Sequence, residues 1–183
     1  MADGVIEMTN DWQYDAVSVG VPAPVAEGRV VHEPVNLGTG WVGFDFEAAF
    51  GCPTRVVNDA AMQALGSYDG GRMLFLGLGT GLGSAMIVDG VLEPMELGHL
   101  PFRKATYEDY VGSAGRKHLG KKRWRKVVVE VIADFVAALE PEYVVLGGGN
   151  AEDLAKLPPK CRLGRNEDAF LGGFRLWVSA PSG

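Results

Sequence analysis

Residues 74–90, "LFLGLGTGLGSAMIVDG", carry glycine at positions 77, 79, 81 and 83 inside an apolar, strand-like run. Glycine in a strand costs backbone entropy and packs nothing, so alternating glycines point to something that approaches the backbone closely. A strand, a glycine turn and a second strand make a hairpin whose tip is nearly all backbone. Its N–H groups, with the hydroxyls of Thr80 and Ser84, suit an anion such as a nucleotide phosphate, and Gly79, Thr80 and Gly81 would cradle it. A hairpin that merely turns tightly needs only one or two glycines. The dinucleotide fingerprint fails on spacing, because position 82 is Leu, and on context, because a strand follows. A near match to the P-loop, "GRKHLGKK" at residues 115–122, ends in Lys122 where a hydroxyl is required, and no strand precedes it.

Three further groups of residues could do chemistry. "VVNDA" places Asn58 and Asp59 where a strand passes into a helix, the end at which α/β folds present functional groups. Asp59 could accept the proton of an attacking hydroxyl, or it could cap the helix. "MELGH" places Glu96 and His99 in a loop, where a carboxylate and an imidazole could hold vicinal sugar hydroxyls or stand as exposed polar residues. "VVLGGGN" runs a buried strand into Gly147, Gly148 and Gly149, which suits a flat ligand lying on backbone or an empty turn. Residues 116–126, "RKHLGKKRWRK", hold seven Lys or Arg in eleven positions. They could bind a polyanion or form a solvated face with internal ion pairs.

Strands and helices must alternate to position these groups. Residues 15–21 read as a buried strand ended by Pro22, and residues 28–34 as a hairpin return. Residues 45–51 read as a short helix with Asp45 as N-cap and Gly51 beyond its end. Strand 54–59, helix 60–68 and strands at 72–79 and 83–90 follow, with Asp89-Gly90 as a hairpin turn. The second half predicts consecutive helices over 106–120 and 121–141. In the latter, Trp124, Val127, Val128, Val131, Phe135 and Leu139 form an apolar face. A strand at 142–150, a helix at 151–157 and a final helix at 166–177 complete an α/β pattern.

The totals exclude several classes. With 183 residues and 47% apolar content the chain can bury a real core. No stretch approaches a membrane span, and no signal pattern opens the chain. Cys52 and Cys161 lack metal-site spacing, and a reduced, cytoplasmic protein is expected. A net charge of −6 argues against a dedicated nucleic-acid binder.

Taken together and in this order, the motifs resemble the ROK family of sugar kinases in the actin/hexokinase superfamily. The hairpin resembles the family's second phosphate loop, and "NDA" its catalytic segment, which implies Asp59 as base. "NLGTGW" resembles the sugar-side loop and implies Asn36. "ELGH" resembles the Glu-x-Gly-His sugar motif, "LGGGN" the adenosine loop and "GGF" the helix below it. The absence of a cysteine-rich zinc site after His99 is similar to the polyphosphate glucokinase branch.

The resemblance implies a ribonuclease H-like two-lobe kinase fold. Residues 1–68 would belong to an N-terminal lobe and 69–183 to a C-terminal lobe, with the last helix packing back. It implies phosphoryl transfer from ATP or polyphosphate, with Mg²⁺, to glucose or a related hexose. Asn36, Asn58, Glu96 and His99 would orient the sugar, and Gly147, Gly148 and Gly149 would face the nucleoside. Lys121, Lys122 and Arg125 would meet polyphosphate. No protein-held metal is expected. The sequence contains no Asp-x-Gly-Gly-Thr loop, so an incomplete N-terminal lobe, impaired turnover and self-association into a homodimer are expected. A non-catalytic sugar-binding or regulatory relative is the alternative.

Overall fold

The computed structural model describes residues 2–9, 11–34 and 37–178, so Asn36 lies outside the described residues. The elements run α1 (Ala2–Met8), β1 (Val17–Val21), β2 (Val25–Ala26), β3 (Arg29–Val30), α2 (Phe46–Phe50), β4 (Thr54–Asn58), α3 (Asp59–Ser67), β5 (Arg72–Leu78), β6 (Leu82–Val88), β7 (Val91–Met95), β8 (Pro101–Phe102), β9 (Ala105–Thr106), α4 (Tyr107–Val111), α5 (Ser113–Leu119), α6 (Lys121–Leu139), β10 (Tyr143–Gly147), β11 (Cys161–Leu163) and α7 (Asp168–Arg175).

The main sheet has the order β11-β10-β5-β6-β7. β10 runs parallel to β5 and β11, while β5, β6 and β7 form an antiparallel meander. Its two faces follow from the two-residue period of β5. Leu74 and Leu76 pack on Trp124, Val128, Val131 and Phe135 of α6. Met73 and Phe75 face Ala60, Ala61 and Ala64 of α3. Alanines let α3 lie close, and glycines let α7 lie closer still. A Cβ on Gly66 would overlap the Asp168 carbonyl, and one on Gly172 would overlap that of Met62.

A smaller unit stands beside this sheet. β1 pairs in parallel with β4, and Val21, Ala23, Val30, Phe46 and Val56 form its core. Asp45 caps α2 by accepting from the Ala48 N–H at 2.9 Å, and Gly51 closes it at φ 69°. α7 ties the two units together. The Ser18 hydroxyl donates to the Gly173 carbonyl at 2.7 Å and accepts from the Trp177 indole at 2.8 Å.

Four local expectations change. Residues 15–21 do not make a fully buried strand, since only Val21 of β1 is buried. β1 has a strand neighbour on one side alone among the described residues. The helix expected over 106–120 breaks at Gly112 into α4 and α5, because Gly112 is extended and lies against the Thr80 and Glu108 carbonyls. Residues 151–157 form only a 3₁₀ turn, Ala151–Asp153, before Pro158 and Pro159. β11, unforeseen, adds a parallel edge strand. No helix among the described residues is long and apolar enough to cross a membrane.

One carboxylate closes the loop that follows β3. Glu33 accepts the N–H groups of Gly40 at 3.0 Å and Trp41 at 2.9 Å, with Val42 at 3.5 Å. The bond from Trp41, then that from Gly40, holds its pKa below the ordinary value. A lowered pKa means that the clasp contributes fully above the unfolded value and fades as pH falls through the native one. Glu33→Gln is therefore expected to speed hydrogen exchange at residues 40–42 at neutral pH. The difference from the parent should shrink under acid conditions, and equal protection at neutral pH would show that the loop stands without Glu33.

Candidate active-site cleft

The parallel strand β4 ends at Asn58, and α3 begins at Asp59. The two neighbours divide the work there. Asn58 caps the helix, its side-chain oxygen accepting from the Ala60 and Ala61 N–H groups at 3.0 and 3.2 Å. Its amide donates to the Ala23 carbonyl at 3.2 Å. Capping thus falls to Asn58, which leaves little of its side chain for a ligand. The Asp59 carboxylate receives the Ala60 N–H at 2.8 Å and otherwise opens on a cleft of about 400 Å³. Asp59 is exposed toward the cleft, and partial desolvation by the protein behind it raises its pKa above the ordinary aspartate value.

Gly77, Gly79, Thr80 and Gly83 of the hairpin line the same cleft, with Gly148 from the second glycine loop. The hairpin tip is pinned from outside. The Gly79 carbonyl accepts from the Ser113 N–H at 3.0 Å, the Ser113 hydroxyl at 2.9 Å and the Asn150 amide at 2.9 Å. Asn150 and Ser113 were invisible as partners in sequence, being 71 and 34 residues from Gly79.

The alternating glycines have separate causes. Only Gly79 has open space where a Cβ would stand. A Cβ at Gly83 would lie 2.7 Å from that of Ala60, and one at Gly77 would lie 3.3 Å from the Phe75 ring. At Gly81 it would meet the end of the Glu108 side chain. Ser84 does not offer the tip the hydroxyl expected of it. It is buried, and its hydroxyl donates to the Met95 carbonyl at 2.9 Å and accepts from the Leu97 N–H at 3.1 Å, so it fixes the segment carrying Glu96. In the second loop, Gly147 backs onto the Phe75 ring and Gly148 onto Leu78 backbone, at φ 78°. Gly149 is open. Gly148 and Gly149 also line a second hollow of about 260 Å³, with Arg165 and Glu167.

Glu96 and His99 come together with a residue that sequence reasoning missed. His99 Nδ1 lies 3.7 Å from Glu96, and Nε2 lies 3.7 Å from Glu108. Glu108 comes from α4, positioned by a capping box between Thr106 and Asp109. Desolvation raises the Glu96 pKa, the His99 charge opposes this, and the charges of Glu108 and Asp59 raise it further.

The basic run is partly consumed internally. Arg116 and Lys121 pair with the Asp153 carboxylate, and Arg125 donates to its carbonyl. The Lys121 bond leads in holding the Asp153 pKa low. Of the residues expected to meet polyphosphate, Lys121 and Arg125 are thus engaged, and Lys122 is exposed.

A model described as the ROK family matches residues 2–116. The chain belongs to the ROK family. Among its curated ROK relatives, the polyphosphate glucokinase of Mycobacterium tuberculosis is 27% identical over 175 residues, covering 87% of this chain and 66% of that protein. The polyphosphate glucokinase of Mycobacterium leprae is 27% identical over 165 residues, covering 81% and 51%. The chain therefore spans just under two thirds of the first relative's length and about half of the second's. Among solved structures, the inorganic polyphosphate/ATP-glucomannokinase from Arthrobacter sp. strain KM superposes with a TM-score of 0.75 at 28% identity, covering 93% of this chain and 78% of that one. The ROK family glucokinase from Streptomyces griseus, in complex with glucose and AMPPNP, gives 0.76 at 14% identity, covering 96% and 86%. The mixed α/β fold is that of ROK and hexokinase-type kinases.

Proposed function

We propose that this chain carries the sugar and phosphoryl-transfer site of a glucokinase-type enzyme that uses ATP or polyphosphate. One observation carries the reading: the Asp59 carboxylate opens on the cleft that the hairpin tip lines, and Glu108 of the His99 cluster lies against Gly81 of the same tip. A hexose held by Glu96, His99 and Glu108 would present a hydroxyl to Asp59. Asp59 would take its proton as the oxygen attacks the terminal phosphorus of the donor and the bond from that phosphorus to its bridging oxygen breaks, releasing ADP or a polyphosphate one unit shorter. The N–H groups of Thr80 and Gly81 would bind the donor phosphate, and Gly147, Gly148 and Gly149 would lie against its nucleoside.

Mg²⁺ commonly binds through one or two carboxylates together with substrate phosphates and water. No group of three or more His, Cys, Asp or Glu among the described residues could cage a metal. The donors of the cleft fit an ion that arrives on the phosphates and neutralises their charge. Titration calorimetry with glucose, beside a radiolabelled transfer assay with ATP and with polyphosphate, tests the reading. Binding without transfer favours a sugar-binding relative, and no binding at all refutes the site.

The raised pKa of Asp59 sets the acid limb of the reaction. A base must be ionised, so transfer should fall as pH drops through a value above the ordinary carboxylate range of about 4. A limb at or below that range would remove Asp59 as the base. For polyphosphate, Lys122→Gln is the cleaner probe, since it leaves the ties to Asp153 intact. It should raise KM for polyphosphate several-fold more than KM for ATP, and the excess should vanish at high salt. Equal effects on both donors would remove the basic run from this role.

A further inference from the structure

The hairpin tip is shaped by residues that do not line the cleft. Ser113, the first residue of α5, shares its backbone N–H between the Gly79 carbonyl at 3.0 Å and the Thr80 carbonyl at 3.1 Å. The Ser113 hydroxyl and the Asn150 amide each donate to the Gly79 carbonyl at 2.9 Å, and the Asn150 amide also donates to the Ser113 hydroxyl at 3.1 Å. Gly112 permits this approach, since a Cβ there would stand 2.5 Å from the Thr80 carbonyl oxygen. The loop that carries Asn150 is set by backbone bonds of its own. The Asn150 N–H donates to the Leu78 carbonyl and the Ala151 N–H to the Gly148 carbonyl, both at 3.0 Å, which leaves the Asn150 side chain available for the tip.

The direction of these bonds decides where the tip's own donors point. The described residues contain no cis peptide bond, and in a trans peptide the N–H points opposite to the carbonyl. The Gly79 C=O and the Thr80 N–H belong to one peptide unit, and the Thr80 C=O and the Gly81 N–H to the next. Both carbonyls are drawn toward Ser113, so both N–H groups turn away from it. Neither N–H has a backbone partner among the described residues. Gly79 and Thr80 line the cleft onto which Asp59 opens, whereas Ser113 and Asn150 do not.

We propose that Asn150 and Ser113 are positioning residues for the phosphoryl donor: by holding the Gly79 and Thr80 carbonyls out of the cleft, they aim the Thr80 and Gly81 N–H groups at the donor's terminal phosphate. Two successive N–H groups turned the same way make a concave anion site. Three donor groups on the Gly79 carbonyl also polarise its peptide unit, which strengthens the Thr80 N–H as a donor. Donors fixed in advance need no reorganisation as charge develops on the transferring group. On the reading of the cleft as a phosphoryl-transfer site, on which this role rests, the terminal phosphate is common to both donors. Asn150 and Ser113 therefore serve ATP and polyphosphate alike, unlike Lys122, whose effect falls on polyphosphate.

Calorimetry on the 183-residue chain tests this without turnover, using AMPPNP, tripolyphosphate and glucose as separate probes with Mg²⁺ present. Asn150→Ala with Ser113→Ala should weaken AMPPNP and tripolyphosphate by a similar factor of about ten, and leave glucose affinity within about twofold of the parent. Ser113→Thr, which keeps the hydroxyl, should bind both anions like the parent. In ¹H–¹⁵N spectra of the parent, tripolyphosphate should shift the Thr80 and Gly81 amide signals, and in the double Ala variant these two shifts should shrink. Anion affinities equal in the parent and the double variant overturn the role of Asn150 and Ser113 and leave the transfer reading standing. So does a loss confined to AMPPNP, a loss of glucose binding in step with the anions, or anion-induced shifts that miss Thr80 and Gly81. A parent chain that binds neither anion overturns the transfer reading along with it.

Discussion

Asp59→Asn is expected to lower phosphoryl transfer by about 10²–10⁴-fold while glucose affinity stays within a few-fold of the parent. Asn keeps the size of the side chain and can still accept the Ala60 N–H, but it cannot take a proton at neutral pH. Stability supplies a second, independent readout. Because the native pKa of Asp59 is raised, the folded chain holds this proton more tightly than the unfolded chain. Stability therefore declines as pH climbs from the unfolded value through the native one. At neutral pH the neutral Asn removes that penalty, so the variant should melt no lower than the parent. A group kept for function at the expense of stability behaves in this way. A variant that keeps most of its transfer would reduce Asp59 to a helix-start residue. One that loses glucose binding as well would place it among the sugar contacts.

Trp124→Ala is expected to cost about 3–5 kcal/mol of stability, and to lower Tm by roughly 6–20 °C at 2–4 °C per kcal/mol. Trp124 is fully buried, and its indole donates to the Val111 carbonyl at 2.8 Å. The substitution opens a cavity under the sheet and leaves a buried carbonyl without its partner. Val111 is the last residue of α4, which carries Glu108, so the damage should reach the Glu96–His99–Glu108 cluster. Trp124→Phe isolates the hydrogen bond, because it retains most of the volume, and should cost about 1–3 kcal/mol. A thermal melt within 2 °C of the parent for Trp124→Ala would mean that α6 anchors the sheet without this side chain.

Much of this chain was legible from its residue order. The apolar face of α6, the cap at Asp45, the Asp89-Gly90 turn and the β5–β6 hairpin all depend on neighbours within a few positions. Spacing and residue type specify such features directly. The ordered motifs that point to the ROK family are of the same kind, since each lies within one turn or one strand end.

Tertiary structure alone decided the division of labour among those motifs. Asn58, not Asp59, caps α3; Gly81 makes room for Glu108, and Gly83 for Ala60. Asn150 and Ser113 hold the hairpin tip, and Asp153 draws in Lys121 and Arg125 from the basic run. Apart from the Asn58 cap, which is local, each of these turns on a contact between residues far apart in the chain. A side chain's type and spacing show what it could bind, but which partner reaches it first depends on how the helices pack across the sheet.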